Sequence, residues 1–177
     1  MSDNTNDLII AVSENDHIQG NTNAPIVLVE YGDFECSYCG KAYTIIKKIQ
    51  QEMGDNLALV FRSFPLAQAH PHAQHAADAA EIAGAQGKFW EYHDALYEHQ
   101  HSLDDASLVH HATDLGLDGD AFKTSLQKGE FKDKVQESFM GGVESGVNGT
   151  PTFFVNGSRY DGDWEYEPFL AYLKSLH

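Results

Sequence analysis

The chain is short of cysteine and of positive charge, and each shortage narrows what the protein does. Only Cys36 and Cys39, among 177 residues, are cysteines. A framework of several disulfides is therefore excluded, and the fold must rest on an apolar core, for which this length suffices. Eleven lysines and arginines stand against 27 aspartates and glutamates, a formal net charge of −16. A nucleic-acid backbone or an anionic membrane surface calls for a positive face, so this balance argues against both as partners. Long apolar runs are missing too: no stretch approaches the ~20 residues of a membrane-spanning helix. The opening residues MSDNTND are polar and acidic, without the basic and apolar regions of a secretory signal. The sequence as it stands thus predicts a cytoplasmic protein, or an extracytoplasmic one if a leader has been removed. The compartment matters because it decides which way a dithiol runs.

The two cysteines are three positions apart, in Cys36-Ser37-Tyr38-Cys39. Before them, Pro25 to Tyr31 is apolar and β-branched, which predicts a buried strand. After them, Gly40 to Met53 has the spacing of an amphipathic helix. A CxxC pair between strand and helix puts the first sulfur at a helix N-terminus, where unpaired amides and the helix dipole favour a thiolate. The pair admits three readings. As a structural disulfide it closes too short a loop to remove much entropy from the unfolded chain. As half of a zinc site it needs further ligands, and His70, His72 and His75 at the start of a later helix are the candidates. As a redox dithiol it fits its surroundings best, with Cys36 the nucleophile and Cys39 one turn further in on the same face.

Along the rest of the chain, Leu8 to Val12 reads as a short apolar strand and residues 17–25 as turn-rich. Leu57 to Arg62 is a second strand, completing β-α-β with a crossover long enough for parallel pairing. From Phe64-Pro65 to about Gly149 the pattern is helical, with segments over residues 72–85, 88–101, 107–115, 120–127 and 131–143. The second of these places Phe89, Tyr92, His93, Leu96 and Tyr97 at helical spacing, while His93, His99, His101, His110 and His111 read as helix-surface or interface residues. Strand character returns at Thr152 to Val155 and Ser158 to Tyr160, joined by Asn156-Gly157, a strong hairpin signal. A helix over residues 165–176 ends the chain. The expected architecture is an α/β core, residues 1–64 and 149–177, interrupted by an all-helical subdomain over residues 65–148.

In this order, four segments together resemble the DsbA-like thiol–disulfide oxidoreductases, which have a thioredoxin-like fold with a helical insertion. They are Asp33-Phe34-Glu35-Cys36-Ser37-Tyr38-Cys39; Phe61-Arg62-Ser63-Phe64-Pro65-Leu66 with His70-Pro71-His72-Ala73; Gly87 to Leu96; and Gly149-Thr150-Pro151-Thr152-Phe153. The resemblance covers residues 15–176. It implies a protein-disulfide oxidoreductase that exchanges a Cys36–Cys39 disulfide with the cysteines of substrate proteins and uses no other cofactor. It implies a cis bond before Pro151, with Thr150 backbone groups beside Cys36 where an extended substrate adds as a strand, and contacts to substrate from Ser37 and Tyr38. It also implies a buried acid at Glu30 that relays a proton for Cys39. The implied redox partner is a quinone-linked membrane oxidase for an exported protein, or a thioredoxin or glutathione system for a cytoplasmic one. A monomer is expected.

The central dipeptide Ser37-Tyr38 departs from the Pro-His of the best-known oxidants. With Asp33 and Glu35 expected to be exposed and repelling negative charge, a weaker oxidant is expected. The alternative is a metal-binding or redox-sensor module built from Cys36, Cys39 and the His70/His72/His75 cluster.

Overall fold

The structure, a computed structural model, describes residues 7–176. The polar run before residue 7, from which no leader was expected, lies outside them. Strand β1 (His17–Gly20) precedes β2 (Ile26–Gly32), α1 (Ser37–Met53) and β3 (Leu57–Ser63). Five helices follow: α2 (Ala73–Ala85), α3 (Phe89–Glu98), α4 (Asp105–Asp114), α5 (Gly119–Lys128) and α6 (Lys132–Glu144). Strands β4 (Thr152–Val155) and β5 (Ser158–Tyr160) and helix α7 (Tyr166–Ser175) complete the chain. The sheet order is β1-β3-β2-β4-β5, with β2 and β3 parallel and every other pair antiparallel. This is the expected thioredoxin-like α/β fold with a helical block inserted between β3 and β4.

The residues explain the layers. Strand β2 lies between β3 and β4, and its side chains alternate between the two faces of the sheet. Ile26 and Leu28 pack with Ala42, Ile45, Ile46, Ile49 and Met53 of α1 and with Phe169 and Leu173 of α7. Those α1 positions recur at three- and four-residue intervals, so one stripe of the helix is buried. Val29 and Tyr31 face the other way, against Val60, Phe64, Phe154 and Phe139 of α6. By the same alternation Glu30 shares the face of Ile26 and Leu28, the side covered by α1. Within the helical block, Ala76, Ala79, Ala80 and Ala83 make α2 thin enough to be buried among its neighbours. The β4–β5 hairpin turns at Asn156 (φ 49°) and Gly157 (φ 86°). Both residues need positive φ, which is why Asn-Gly stands there.

One sequence expectation is overturned. Leu8 to Val12 is not a strand, and β1 lies instead at His17–Gly20, in the segment read as turns. The backbone of the earlier segment is taken up by scattered partners rather than a ladder. Leu8 N–H donates to the Gly157 carbonyl at 2.8 Å, and Ile9 N–H donates to Ser145 Oγ at 2.9 Å. The Ile10 and Ala11 carbonyls accept from the Arg62 guanidinium at 2.8 and 3.3 Å. Arg62 is buried and also bonds both carboxylate oxygens of Asp16, at 2.8 and 2.9 Å, and the Tyr31 hydroxyl at 2.9 Å. A buried guanidinium with its N–H groups engaged in this way is a structural clamp.

Candidate active site

Strand β2 ends at Gly32, and the chain turns through Asp33-Phe34-Glu35 into α1 with Cys36 as the residue that caps it. Cys36 has extended backbone angles (φ −72°, ψ 123°), and its carbonyl already accepts from Gly40 N–H at 3.1 Å. The expected helix-terminal placement of the first sulfur is thus met. Thr150, half-buried on the loop before β4, brings its carbonyl oxygen to 3.7 Å from Cys36 Sγ, close enough to accept from the thiol. The bond between Thr150 and Pro151 is cis. As a thiolate the same sulfur takes donors instead. The Cys39 thiol is the strongest of these, followed by the Thr150 hydroxyl and the amides of Cys39 and Tyr38. Against the opposing effect of burial they pull the Cys36 pKa down to about 5. Ser37 and Tyr38 are exposed at the first turn of α1, Tyr38 at 65 %.

Cys39 is the opposite case. It is fully buried, and burial raises its pKa well above the ordinary thiol value, helped by its donation to Cys36 and by the Glu30 charge. Glu30 is 3 % exposed in the strand between β3 and β4, paired with Phe61 and Phe153. It is therefore neither at a sheet edge nor solvated. Burial, with a smaller contribution from the Cys36 charge, raises its pKa to about 8. Its Oε2 has no hydrogen-bond partner among the described residues. Lys41 and Arg62 do not neutralise it, since Lys41 pairs with Glu165 and Arg62 with Asp16. The arrangement is an activated thiol, a thiol held protonated behind it, and a buried carboxyl able to change protonation near neutral pH.

Asp33 corrects another expectation, since it is 1 % exposed rather than open to water. It accepts from Glu35 N–H at 2.8 Å, from Leu66 N–H at 2.9 Å and from His70 Nδ1 at 2.8 Å. Its charge is spent on tying the loop after β3 to the CxxC turn. Burial works against the protonated form of His70, but the contact with Asp33 outweighs it and raises the ring's pKa. The contact thereby favours the charged form of a ring near the site that repulsion from Asp33 and Glu35 was expected to dominate. Glu35, half-buried, accepts from His72 N–H at 2.9 Å.

The histidine cluster does not converge on the sulfurs. His70 is held by Asp33, and His75 by Asp105 at 2.6 Å. Among the described residues, no group of three or more histidines, cysteines, aspartates and glutamates is placed to hold a metal ion.

Sequence reasoning missed two contributors. Gln100 Nε2 donates to the carbonyls of Phe34 and Cys36, both at 2.9 Å, and so fixes the turn that carries the nucleophile. Its amide lies so close to Gly40 that a Cβ there would come within 2.8 Å of Gln100 Cδ, which explains a glycine in the first turn of α1. His93, expected near the surface, is 4 % exposed and ringed by Phe34, Phe61, Tyr43 and Tyr97. The signal for its burial was present in the spacing Phe89, Tyr92, His93, Leu96, Tyr97, which puts it on the apolar face of α3.

Known proteins resemble this chain in sequence and in fold. The sequence is 44 % identical over 170 residues to a Na(+)/H(+) antiporter NhaA 1 of Salinispora arenicola, a match covering 96 % of this chain but 26 % of that protein. The chain thus spans about a quarter of the length of the curated relatives it matches. In fold it is similar to Wolbachia pipientis alpha-DsbA1, with a TM-score of 0.81 at 22 % identity over 94 % of this chain and 93 % of that one. It is also similar to a thioredoxin-like oxidoreductase from Silicibacter pomeroyi, with a TM-score of 0.80 at 25 % identity over 92 % of each chain. Residues 12–175 match the family model described as Thioredoxin, and the chain belongs to that family, with a fold shared by Wolbachia pipientis alpha-DsbA1.

Proposed function

We propose that the protein is a protein thiol–disulfide oxidoreductase that exchanges a Cys36–Cys39 disulfide with cysteines of substrate proteins through a mixed disulfide at Cys36. The observation that carries this reading is the contrast in placement of the two sulfurs, Cys36 capping α1 beside the Thr150 carbonyl and the cis Pro151 bond, and Cys39 fully buried one turn behind it. In the reducing direction the Cys36 thiolate attacks a substrate disulfide and releases one substrate thiolate. Cys39 then gives its proton to Glu30 and attacks Cys36 Sγ, expelling the second substrate thiolate and leaving the Cys36–Cys39 disulfide. In the oxidising direction the same steps run backwards. Thr150, Ser37 and Tyr38 border Cys36 and offer backbone and ring contacts to an extended substrate segment. The name of the antiporter relatives belongs to those longer proteins. Among the described residues of this chain no helix is long and apolar enough to cross a membrane.

Trapping tests the reading. A Cys39→Ser variant, reduced and mixed with insulin, is expected to retain one insulin chain on Cys36 in an adduct that dithiothreitol releases. A Cys36→Ser variant is expected to retain none, and absence of the adduct in Cys39→Ser would overturn the assignment. The Cys36 pKa of about 5 falls between thioredoxin, at roughly 7, and DsbA, at roughly 3.5. A stabler thiolate stabilises the reduced form, so the potential is expected between about −270 and about −120 mV. Equilibration with glutathione buffers measures it, and a value outside that interval would contradict the argument.

A further inference from the structure

Between β2, α1 and α3 lies a small cavity lined by Gln19, Glu30, Tyr43, Lys47, Gln50, His93 and Tyr97 among others. It has about 10 Å³ of room for the centre of a water molecule. That is at the lower edge of the ~10–15 Å³ that one water requires. Three side chains on its wall carry a buried polar atom without a partner among the described residues: Glu30 Oε2, His93 Nε2 and Tyr97 Oη. Such atoms are uncommon in folded proteins, and three of them on residues lining one water-sized space point to a shared partner.

We propose that one water held in this cavity links Glu30 to His93, and that His93 and Asp94 carry the proton released by Cys39 out to solvent. The proposal rests on the oxidoreductase reading and goes beyond it by assigning the route through which Glu30 is recharged. Glu30 is 3 % exposed, so a proton it accepts from Cys39 reaches solvent only through neighbouring groups.

The polar groups around the route fit a relay. His93 Nδ1 lies 2.9 Å from Asp94 Oδ1, and a carboxylate can only accept there, so Nδ1 carries the proton and the unpartnered Nε2 is left as an acceptor. Burial keeps the ring neutral, lowering its pKa against the opposing pull of Asp94. Asp94 is also bound by Lys47 Nζ at 2.8 Å, and its side chain is 25 % exposed, so this end of the chain reaches water. The other charged or titratable groups facing the route are Cys36 and Cys39 beside Glu30, Tyr43 on α1, Tyr97 on α3 and His17 on β1.

The step balances. Cys39 Sγ–H gives its proton to Glu30, and protonated Glu30 donates to the water as the water donates to His93 Nε2. The Nδ1 proton then passes to Asp94 and to solvent. One proton leaves, and the thiolate it leaves behind forms the Cys36–Cys39 bond while the glutathione or substrate thiolate departs with the electron pair. His93 is then protonated on Nε2 alone. When the disulfide is reduced again, Cys39 takes a proton back along the same route and the original tautomer is restored.

The test separates the two chemical steps by mixing the reduced full chain with oxidised glutathione in a stopped-flow instrument. His93→Gln keeps a polar side chain of similar reach but cannot pass a proton. Formation of the Cys36–glutathione mixed disulfide is expected to keep its wild-type rate, while its resolution by Cys39 slows roughly tenfold and becomes dependent on buffer concentration. That is an order below what a direct general base supplies. Asp94→Asn, at the accessible end, is expected to reproduce the effect and decides the question if His93→Gln does not fold. Wild-type resolution in Asp94→Asn, or equal slowing of both steps, would overturn the proposal. A wild-type protein that formed no mixed disulfide would overturn the oxidoreductase reading instead.

Discussion

Replacing Cys36 with serine is expected to abolish insulin reduction, with turnover falling at least ~100-fold to the uncatalysed background. The effect is large because no other group can take over. Cys39 is the only other thiol, and, buried and held protonated, it is a poor nucleophile. A serine hydroxyl at the same helix terminus ionises far too weakly for the donors around it to compensate. The wild-type protein offers a companion measurement. Its rate of alkylation by iodoacetamide should rise with pH around a midpoint of about 5, since the donors that stabilise the thiolate lower the pH at which it appears. Activity retained in Cys36→Ser, or a single midpoint near 8.5, would contradict the assignment of Cys36 as nucleophile.

Exchanging Glu30 for leucine is expected to make the reduced protein more stable and a poorer catalyst. The folded-state pKa of about 8 lies above the ~4.3 of an unfolded glutamate, so between those values the folded chain binds a proton that the unfolded chain has lost. Stability is therefore complete below about pH 4, falls as pH rises and levels off above about pH 8. At ~1.36 kcal/mol per unit, the buried carboxyl costs on the order of 4 kcal/mol at pH 8 and roughly 2 kcal/mol at pH 6. Leucine removes that loss and fills a similar volume on a face already lined by Ile26 and Leu28. Urea unfolding from pH 5 to 9 should show a flatter profile in the variant and a growing advantage above pH 6. Resolution of the mixed disulfide should slow roughly a hundredfold, as expected when a general base is removed. Parallel pH profiles for the two proteins would show that Glu30 does not titrate in this interval.

Much of this site could be read along the chain because its parts are local. A strand, a CxxC pair and a helix are contiguous, and their periods of two and 3.6 residues identify them. The Asn156-Gly157 hairpin and the interruption of an apolar strand by Glu30 are local as well. What could not be read depends on partners distant in sequence. Asp33 looks like a solvated acid until Leu66 and His70 are folded against it, and Gln100 gives no hint that it will hold the Cys36 carbonyl. His17–Gly20 was missed because a four-residue edge strand shows little alternation, and only β3 beside it makes it a strand. Leu8 to Val12 misled in the opposite way, as apolar residues whose backbone bonds go to a hairpin, a serine and an arginine. His93 sat on the apolar face by its spacing, but a polar residue type is weak evidence for burial.

The pairing of Glu30 with Phe153 has a consequence for synthesis. Strand β2 acquires its second neighbour only when β4 arrives, after the whole helical block has been made. Such long-range pairing slows folding, because the loop must close before its contacts stabilise it. Both cysteines are made before the helical block, whereas Thr150 and the strand that completes their surroundings are made after it. The growing chain thus carries its two thiols without the neighbours that set them apart until the helical block and β4 have been made, and only then is the difference in reactivity between Cys36 and Cys39 established.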